Sequence, residues 1–136
     1  MKLSKKTIYA IMLVLSIAKN GSEGSLTMRE IAERENLSLK YLEQIVNVLC
    51  KAGLVKSRRG SKGGYSLSMP AEKYTIGSII RAMEGRVSAD SFDESQTLKY
   101  FFEGLCDTVN RYIDSVTIND LIEEEKTINN IFDYCI

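Results

Sequence analysis

The stretch YLEQIVNVLCKAGLVKSRRGSKGGYSLS, residues 41–68, combines a helical pattern with a glycine-rich basic turn. Its first part repeats apolar residues at the spacing of one buried helical face, at Leu42, Ile45, Val46 and Leu49. Ala52 and Gly53 then stop the helix, because glycine is favoured just past a helix end. LVKS and YSLS have the length and composition of two short strands joined by the glycines. The stretch therefore predicts a helix followed by a β-hairpin.

A shorter helix precedes this one along the chain. Thr27 and Glu30 have the spacing of a capping box, which marks a helix start. That helix continues to about Glu35, and a tight turn at Asn36 leads to Ser38, the N-cap of the next helix. Two short helices joined by a tight turn, with a hairpin after the second, form a winged helix-turn-helix. We therefore predict a mainly α fold with one small β-hairpin.

The outer face of the second helix carries polar and cationic groups. At 100° per residue, this face receives Lys40, Gln44, Asn47 and Lys51, and no acid. The major groove of DNA admits one α-helix, and a glutamine can bind the edge of an adenine there. The helix is therefore a candidate recognition helix, with Gln44 as a candidate base-reading residue.

The hairpin turn concentrates cations. Lysines and arginines that neutralise the phosphates of DNA release its counterions. A thin glycine-rich hairpin with arginines also suits the narrow minor groove. We assign the DNA contacts of this wing to Arg58, Arg59, Gly60, Ser61 and Lys62. One alternative is a solvated basic hairpin without a ligand. Another is a cradle for nucleotide phosphates, but the glycines lack the spacing of either nucleotide motif.

The formal net charge of zero conceals a division of charge along the chain. Residues 1–86 hold 15 Lys and Arg against 7 Asp and Glu, whereas residues 87–136 hold 3 against 11. Such asymmetry favours a polyanion-binding part beside a part with another role. We predict a winged helix-turn-helix DNA-binding domain over residues 1–86. Residues 87–136 are predicted to form an acidic loop, a long dimerisation helix and a C-terminal tail.

The composition excludes common enzyme classes. The chain has no histidine, which removes Ser–His and Cys–His catalytic groups and imidazole metal sites. It also shows no nucleophile motif and no paired carboxylates in an evident cleft. Its three cysteines, Cys50, Cys106 and Cys135, are too widely spaced for a secreted disulfide framework. We therefore expect a protein that is not an enzyme.

The N-terminal segment imitates a signal peptide, with three lysines before the uncharged run over residues 8–18. That run is about half the length needed to span a bilayer. We interpret it as a buried first helix over residues 4–19, and we expect a cytoplasmic protein that does not enter membranes.

The C-terminal part begins after a fourth helix, which Thr75 caps and Gly85 ends. From residue 97, apolar residues follow a heptad seam, at Leu98, Phe102, Leu105, Val109, Tyr112 and Val116. The partner of this seam is either the chain's own domain or a second subunit, and the large residues favour self-association. Thr117 and Asp120 then cap a short helix, and the tail from residue 127 is predicted to pack onto the domain.

Several segments resemble the Rrf2 family of bacterial winged-helix repressors, above all AGLVKSRRGSKGGY and also IAERENLSLKYLEQ and TIGSIIRAMEG. The resemblance covers most of residues 1–121. It implies a homodimer that crosses its long helices and binds a palindromic operator in double-stranded DNA. It also implies which residues approach the major groove, namely Ser38, Lys40, Tyr41 and Gln44. It further implies that Arg59 reaches the minor groove. A glutamate in the place of Glu43 is implied to tune which DNA sequences are accepted.

The chain departs from the family pattern in its cysteines. Cluster-binding members carry three closely spaced cysteines between the fourth and the long helix, whereas RVSADSFDESQTLKY, residues 86–100, has none. We therefore expect no iron–sulfur cluster and no metal site. A cluster would require ligands such as Asp90 or Asp93, or cysteines shared across a dimer.

The short loop without cysteines resembles the cluster-free branch of the family that controls cysteine metabolism and responds to a partner enzyme, cysteine synthase. The resemblance implies a repressor of this kind. Three alternatives stay open: a regulator that senses iron–sulfur, redox state or nitric oxide through non-standard ligands, a winged helix that binds protein, and a redox role for Cys50. Lys51 beside Cys50 predicts a lowered thiol pKa, whereas a half-buried thiol is unreactive.

Overall fold

The structure, a computed structural model, describes residues 2–20, 27–60, 63–90 and 95–134, which form helices and one antiparallel hairpin. This confirms the predicted mainly α fold with a small β-hairpin. The described helices are α1 (Lys5–Asn20), α2 (Met28–Glu35), α3 (Leu39–Lys51), α4 (Ile76–Glu84), α5 (Gln96–Ser115) and α6 (Ile118–Tyr134). The hairpin consists of β1 (Val55–Arg58) and β2 (Gly64–Leu67), and a 3-10 turn over Ala71–Lys73 leads into α4.

The predicted helix-turn-helix is formed by α2 and α3, and local side chains cap both helices. The Thr27 hydroxyl accepts from the Glu30 N–H at 3.2 Å, and a Glu30 carboxylate oxygen accepts from the Thr27 N–H at 2.7 Å. Asn36 ends α2 in the left-handed conformation, with φ 52°. The Ser38 hydroxyl accepts from the Tyr41 N–H at 3.2 Å and so begins α3. The turn between the helices is therefore set by its own residues.

The first helix lies at the centre of the core, as predicted. It contacts α2, α3, α4, α6 and β2, and its side chains Ala10, Leu13 and Val14 are fully buried. Asn20 and Gly21 form a typical helix-stop signal in the sequence. The helix α1 ends at Asn20, and Gly21 lies outside the described residues. Within the described part of the chain, no helix is both long and apolar enough to cross a membrane.

Tyr74 joins the base of the hairpin to the C-terminal helices. Its side chain is fully buried. Its hydroxyl donates to the carbonyl oxygen of Leu54 and accepts from the N–H groups of Ser68, at 2.8 Å, and Met69, at 3.1 Å. Its own carbonyl oxygen accepts from the Ile118 N–H at 2.9 Å. One residue thus connects both strands of the hairpin with the start of α6.

The long helix α5 is held to α4 by a polar contact. The guanidinium of Arg81 donates to both carboxylate oxygens of Asp114, one of them at 2.8 Å. This pair passes over Gly77, where a Cβ would lie 2.1 Å from the Asp114 carboxylate. The side-chain amide of Asn110 also donates to the Val87 carbonyl oxygen at 2.9 Å. These contacts fix the C-terminal half of α5.

The last helix differs from the prediction. The chain from residue 118 to 134 forms the single helix α6, because no glycine or proline interrupts it. Its first turn is anchored by Ile118, which is fully buried. Beyond that turn, Ile128, Ile131 and Phe132 are 44%, 59% and 66% exposed. The prediction that the tail packs onto the domain is therefore wrong for its described residues, since α6 continues straight past the core.

We expect Glu84 to make stability depend on pH. Hydrogen bonds from the hydroxyl of Thr7, at 2.5 Å, and from Ser4 lower the pKa of Glu84 from 4.5 to about 2. The unfolded chain takes up this proton at higher pH than the folded chain does. The stabilisation is therefore complete above pH 4.5 and is lost as the pH falls towards 2.

Urea denaturation between pH 7 and pH 2 measures this contribution. Glu84→Gln should unfold more easily than the wild type above pH 5, and the two proteins should converge as the pH approaches 2. Glu33→Gln, at an exposed position on α2, is the matched control and should follow the wild type. Parallel curves for Glu84→Gln and the wild type would contradict the assignment.

Candidate nucleic-acid interface

The predicted recognition helix exposes the face that its sequence pattern indicates. Ser38, Lys40 and Gln44 are exposed, as are Asn47 and Lys51 farther along α3. The opposite face is at most 1% exposed, at Leu42, Ile45, Val46 and Leu49. Burial of this apolar face holds α3 against the core and leaves its polar groups facing solvent. Glu43 is also exposed, so one acid flanks this surface.

Tyr41 differs from its neighbours because it is half-buried. Its ring meets the ring of Tyr9 edge to face, with centroids 5.8 Å apart and planes at 89°. Such aromatic pairs are favourable because the ring edge meets the negative ring face. The first turn of α3 is therefore braced against α1, which carries Tyr9.

The wing is a hairpin whose turn requires glycine. Its strands pair from Val55 opposite Leu67 to Arg58 opposite Gly64. The Gly63 N–H donates to the Gly60 carbonyl oxygen at 2.9 Å, and Gly60 has a φ of 104°. A Cβ on Gly63 would lie 2.7 Å from the carbonyl oxygens of Arg58 and Gly60. A residue with a side chain would therefore open the turn.

The described cations of the wing are exposed, so a ligand can contact them. Arg58 and Arg59 are exposed at the end of β1, and Lys56 is exposed within it. The ion pairs found among the described residues lie elsewhere, at Lys19–Glu125, Arg81–Asp114 and Lys126–Glu123. Ser61 and Lys62, which we also predict to bind DNA, lie outside the described residues.

The wing and the recognition helix are joined by one tight turn. The Leu54 N–H donates to the Leu49 carbonyl oxygen at 3.0 Å, and Gly53 takes the left-handed conformation with φ 74°. Across this junction, burial raises the pKa of Tyr65 on β2, and negative charge at Cys50 and Glu43 raises it further. The side chain of Tyr65 is half-buried and packs against the hydrophobic core, as does Cys50 at the end of α3.

The charge of α3 and the wing is opposite to the charge of α5 and α6. Residues 39–60, which form α3 and the first half of the wing, hold five cations and one acid. Residues 96–134, which form α5 and α6, hold three cations and eight acids. A polyanion is attracted to the first surface and repelled by the second, and this difference orients its approach.

The predicted seam on α5 is divided between two environments. Leu98, Leu105 and Tyr112 are 55%, 41% and 69% exposed. The other seam positions, Phe102, Val109 and Val116, are half-buried. The helix turns these positions towards the chain's own core, where Cys106 and Ile113 are buried.

Sequence reasoning missed Phe101 and Gly104 on the exposed side of α5. Phe101 is 61% exposed, and its ring lies edge to face against that of Phe102 at 5.3 Å. Gly104 lies in the middle of the helix, and a Cβ there would meet no described atom within 4 Å. The signal in the sequence was an isolated glycine within a strongly helical segment.

The cysteines do not form a cluster site in the described part of the chain. Cys50 is half-buried at the end of α3, Cys106 is buried in α5, and both thiols are free. No group of three Cys, Asp or Glu side chains is placed to share a metal ion there. Asp90 is exposed and accepts from the Ser88 hydroxyl at 2.9 Å, while Asp93 and Cys135 lie outside the described residues. The donors among the described residues therefore do not fit an iron–sulfur cluster, and the absence of a cofactor stays a prediction.

The hypothesis of a redox-active Cys50 with a lowered pKa is not supported. Burial raises the pKa of the Cys50 thiol above its ordinary value. The neighbouring Lys51 is exposed to solvent, where its charge is screened. Fewer thiolates at neutral pH mean a less reactive cysteine.

Known proteins share this arrangement. The sequence profile of the Rrf2 family, described as "Iron-dependent Transcriptional regulator", matches residues 3–124. The transcriptional regulator CymR of Bacillus subtilis is 40% identical over 123 residues, which cover 89% of each chain. A solved structure of CymR, the "Global Cysteine Regulator" of B. subtilis, superimposes with a TM-score of 0.82 at 38% identity and covers 91% of this chain and 98% of that one. IscR of T. potens gives a TM-score of 0.79 at 35% identity, covering 92% and 88%.

Proposed function

Since this chain belongs to the Rrf2 family and is a DNA-binding transcriptional regulator rather than an enzyme, we propose that it represses transcription as a homodimer on a palindromic operator. The observation that carries this proposal is the exposed cationic surface of α3 and the wing, set apart from the acidic helices α5 and α6. A twofold dimer places two such surfaces one helical turn of DNA apart, or a multiple of it, which requires a palindrome.

Each element of this surface has a distinct role in the proposed complex. Ser38 begins α3, and the free N–H groups of a helix N-terminus bind phosphate. Lys40 adds a cation beside it, and Gln44 lies one turn farther along the exposed face, where it can bind N6 and N7 of an adenine. Arg59 at the tip of the wing enters the minor groove, where the potential is most negative.

Arg59→Ala tests the wing. We expect it to weaken operator binding by about 1–3 kcal/mol and to reduce the slope of log affinity against log salt by about 1. Fluorescence anisotropy at several salt concentrations measures both. Lys126→Ala removes the same charge from the acidic helix α6 and should leave the affinity unchanged. If Arg59→Ala binds the operator like the wild type, the assignment of the wing as a DNA contact is wrong. Binding that is insensitive to salt would instead indicate a surface that binds protein.

The exposed side of α5 supports the proposed homodimer. It presents Leu98, Phe101, Leu105 and Tyr112 to solvent. A groove of about 560 Å³ runs along this side and includes Gly104 and Thr108. Glycine inside a helix costs about 0.5–1 kcal/mol relative to alanine, and Gly104 has no described neighbour that demands it. We propose that the α5 helices of two subunits cross at Gly104, where the missing side chain lets the backbones approach.

Substitution of Gly104 separates helix stability from dimerisation. Gly104→Ala should favour the helix within one subunit by about 0.5–1 kcal/mol and yet weaken the dimer. Gly104→Leu should weaken the dimer further. Sedimentation equilibrium measures dissociation, with Lys126→Leu as a control that adds an exposed leucine elsewhere. A Gly104→Leu protein that dimerises like the wild type would contradict the crossing point.

The regulated genes are proposed to be those of cysteine and sulfur metabolism. A relative that covers most of this chain is called a global cysteine regulator. Residues 86–100 carry no cysteine. We propose further that a partner enzyme such as cysteine synthase reports the sulfur status.

Capture of genomic fragments on the reduced full-length protein, followed by sequencing, tests the regulon. We expect enrichment of a palindrome upstream of genes for cysteine synthesis and sulfur uptake. The same complexes should retain purified cysteine synthase. Enrichment at iron–sulfur or stress genes instead would contradict the sulfur role while leaving the DNA-binding surface intact.

A further inference from the structure

The long helix α5 is attached to the rest of the described chain through its C-terminal half. It packs mainly against α4, and its buried residues, Cys106 and Ile113, both lie in that half. In the other half, residues 96–105 are exposed apart from the half-buried Phe102. The direction in which α5 leaves α4 therefore depends on the contacts of its last turns.

The last turn of α5 meets the start of α4 through Asp114. One carboxylate oxygen of Asp114 accepts from the Arg81 guanidinium at 2.8 Å, and the other oxygen accepts from the second nitrogen of the same group. The first oxygen also lies 3.5 Å from the hydroxyl of Thr75, which caps α4. The dipole of a helix favours a carboxylate beside its N-terminus. A bidentate guanidinium pair restrains direction as well as distance, so this contact restrains the angle between α4 and α5.

Gly77 makes room for this contact. It is the second residue of α4, it is buried, and its φ is not positive, so its backbone conformation does not require glycine. A Cβ there would lie 2.1 Å from the Asp114 carboxylate and 2.7 Å from a guanidinium nitrogen of Arg81. Any other residue would therefore displace the pair. Glycine lowers the stability of a helix relative to alanine, and a partly exposed ion pair adds little stability. Stability therefore does not explain the arrangement, whereas the position that it gives α5 does.

We propose that the contact of Arg81 with Asp114 over Gly77 sets the distance between the two DNA half-sites that a dimer accepts. These three are then positioning residues for DNA binding. The inference rests on the proposed function, in which two α5 helices cross and each subunit carries one recognition helix. A change in the angle at which α5 leaves α4 moves the two recognition helices relative to each other. One added base pair moves a half-site by about 3.4 Å and rotates it by about 35° around the DNA axis. A small change of angle is therefore detected as a change in the preferred spacer.

The preference for one spacer length measures this role. The wild-type protein first selects a palindrome from a pool of random-sequence duplexes. Duplexes that carry its two half-sites at the selected spacing, or with one or two base pairs more or fewer, are then titrated by fluorescence anisotropy. We expect the wild type to bind one spacer most tightly. In Gly77→Ala and Asp114→Asn, this preference should fall roughly two- to thirtyfold, the range in which one residue modulates the coupling of distant sites.

A duplex with a single half-site separates positioning from a general loss of structure. Gly77→Ala and Asp114→Asn should bind it like the wild type, because neither changes α3 or the wing. Asp114 is partly exposed, so Asp114→Asn should fold, and urea denaturation checks this. If Gly77→Ala does not fold, Asp114→Asn alone decides.

Glu125→Gln is the matched control. It removes the same charge as Asp114→Asn from an ion pair of similar exposure, which Glu125 forms with Lys19 between α1 and α6. It should keep the spacer preference of the wild type.

Two results would overturn the proposal while leaving the proposed function intact. In the first, Asp114→Asn keeps the spacer preference of the wild type. In the second, it loses as much affinity for the single half-site as for the palindrome. Selection of unpaired half-sites by the wild type would instead contradict the homodimer on a palindrome, and the spacing role with it.

Discussion

The hydroxyl of Tyr74 is the contact on which the rest of the structure depends. It is buried and fully satisfied, with one bond donated to Leu54 and two accepted from Ser68 and Met69. A buried polar group is stabilising only when its hydrogen bonds are made, so this arrangement tolerates little displacement. Leu54 precedes β1, and Ser68 and Met69 follow β2, so the tyrosine closes the base of the wing.

Tyr74 also connects the base of the wing to the C-terminal helices. Its carbonyl oxygen binds the Ile118 N–H, and the Ile76 N–H binds the Val116 carbonyl oxygen, both at 2.9 Å. These bonds place the start of α6 beside the wing base, and the ion pair of Arg81 with Asp114 holds α5 nearby. The cationic surface and the exposed apolar side of α5 therefore belong to one connected framework. A dimer formed through α5 would hold two wings at a defined spacing.

A single chain leaves much of its apolar surface uncovered. Phe101 on α5 and Phe132 on α6 are both more than 60% exposed. Groups of exposed large apolar residues mark interaction surfaces. The acids beside them keep these helices away from DNA. The surface for DNA contact and the surface for the proposed association thus carry opposite charge.

The sequence by itself determined the elements whose cause is local. Thr27, Ser38 and Thr75 cap their helices through bonds to N–H groups three residues away, and the glycines of the wing turn act on their immediate neighbours. The exposed face of α3 follows from helical periodicity alone. These features identified the winged helix and its candidate DNA-binding residues. Two of these candidates, Ser61 and Lys62, lie outside the residues that the structure describes.

Only the tertiary structure decided what depends on packing between distant segments. Periodicity selected the seam of α5, but only the structure showed that Phe102 is half-buried while Leu105 is 41% exposed. Lys51 beside Cys50 in the sequence left a reactive thiol open as one alternative, whereas burial raises the pKa of that thiol in the structure. Burial depends on contacts between distant segments, so the sequence pattern of one segment does not predict it.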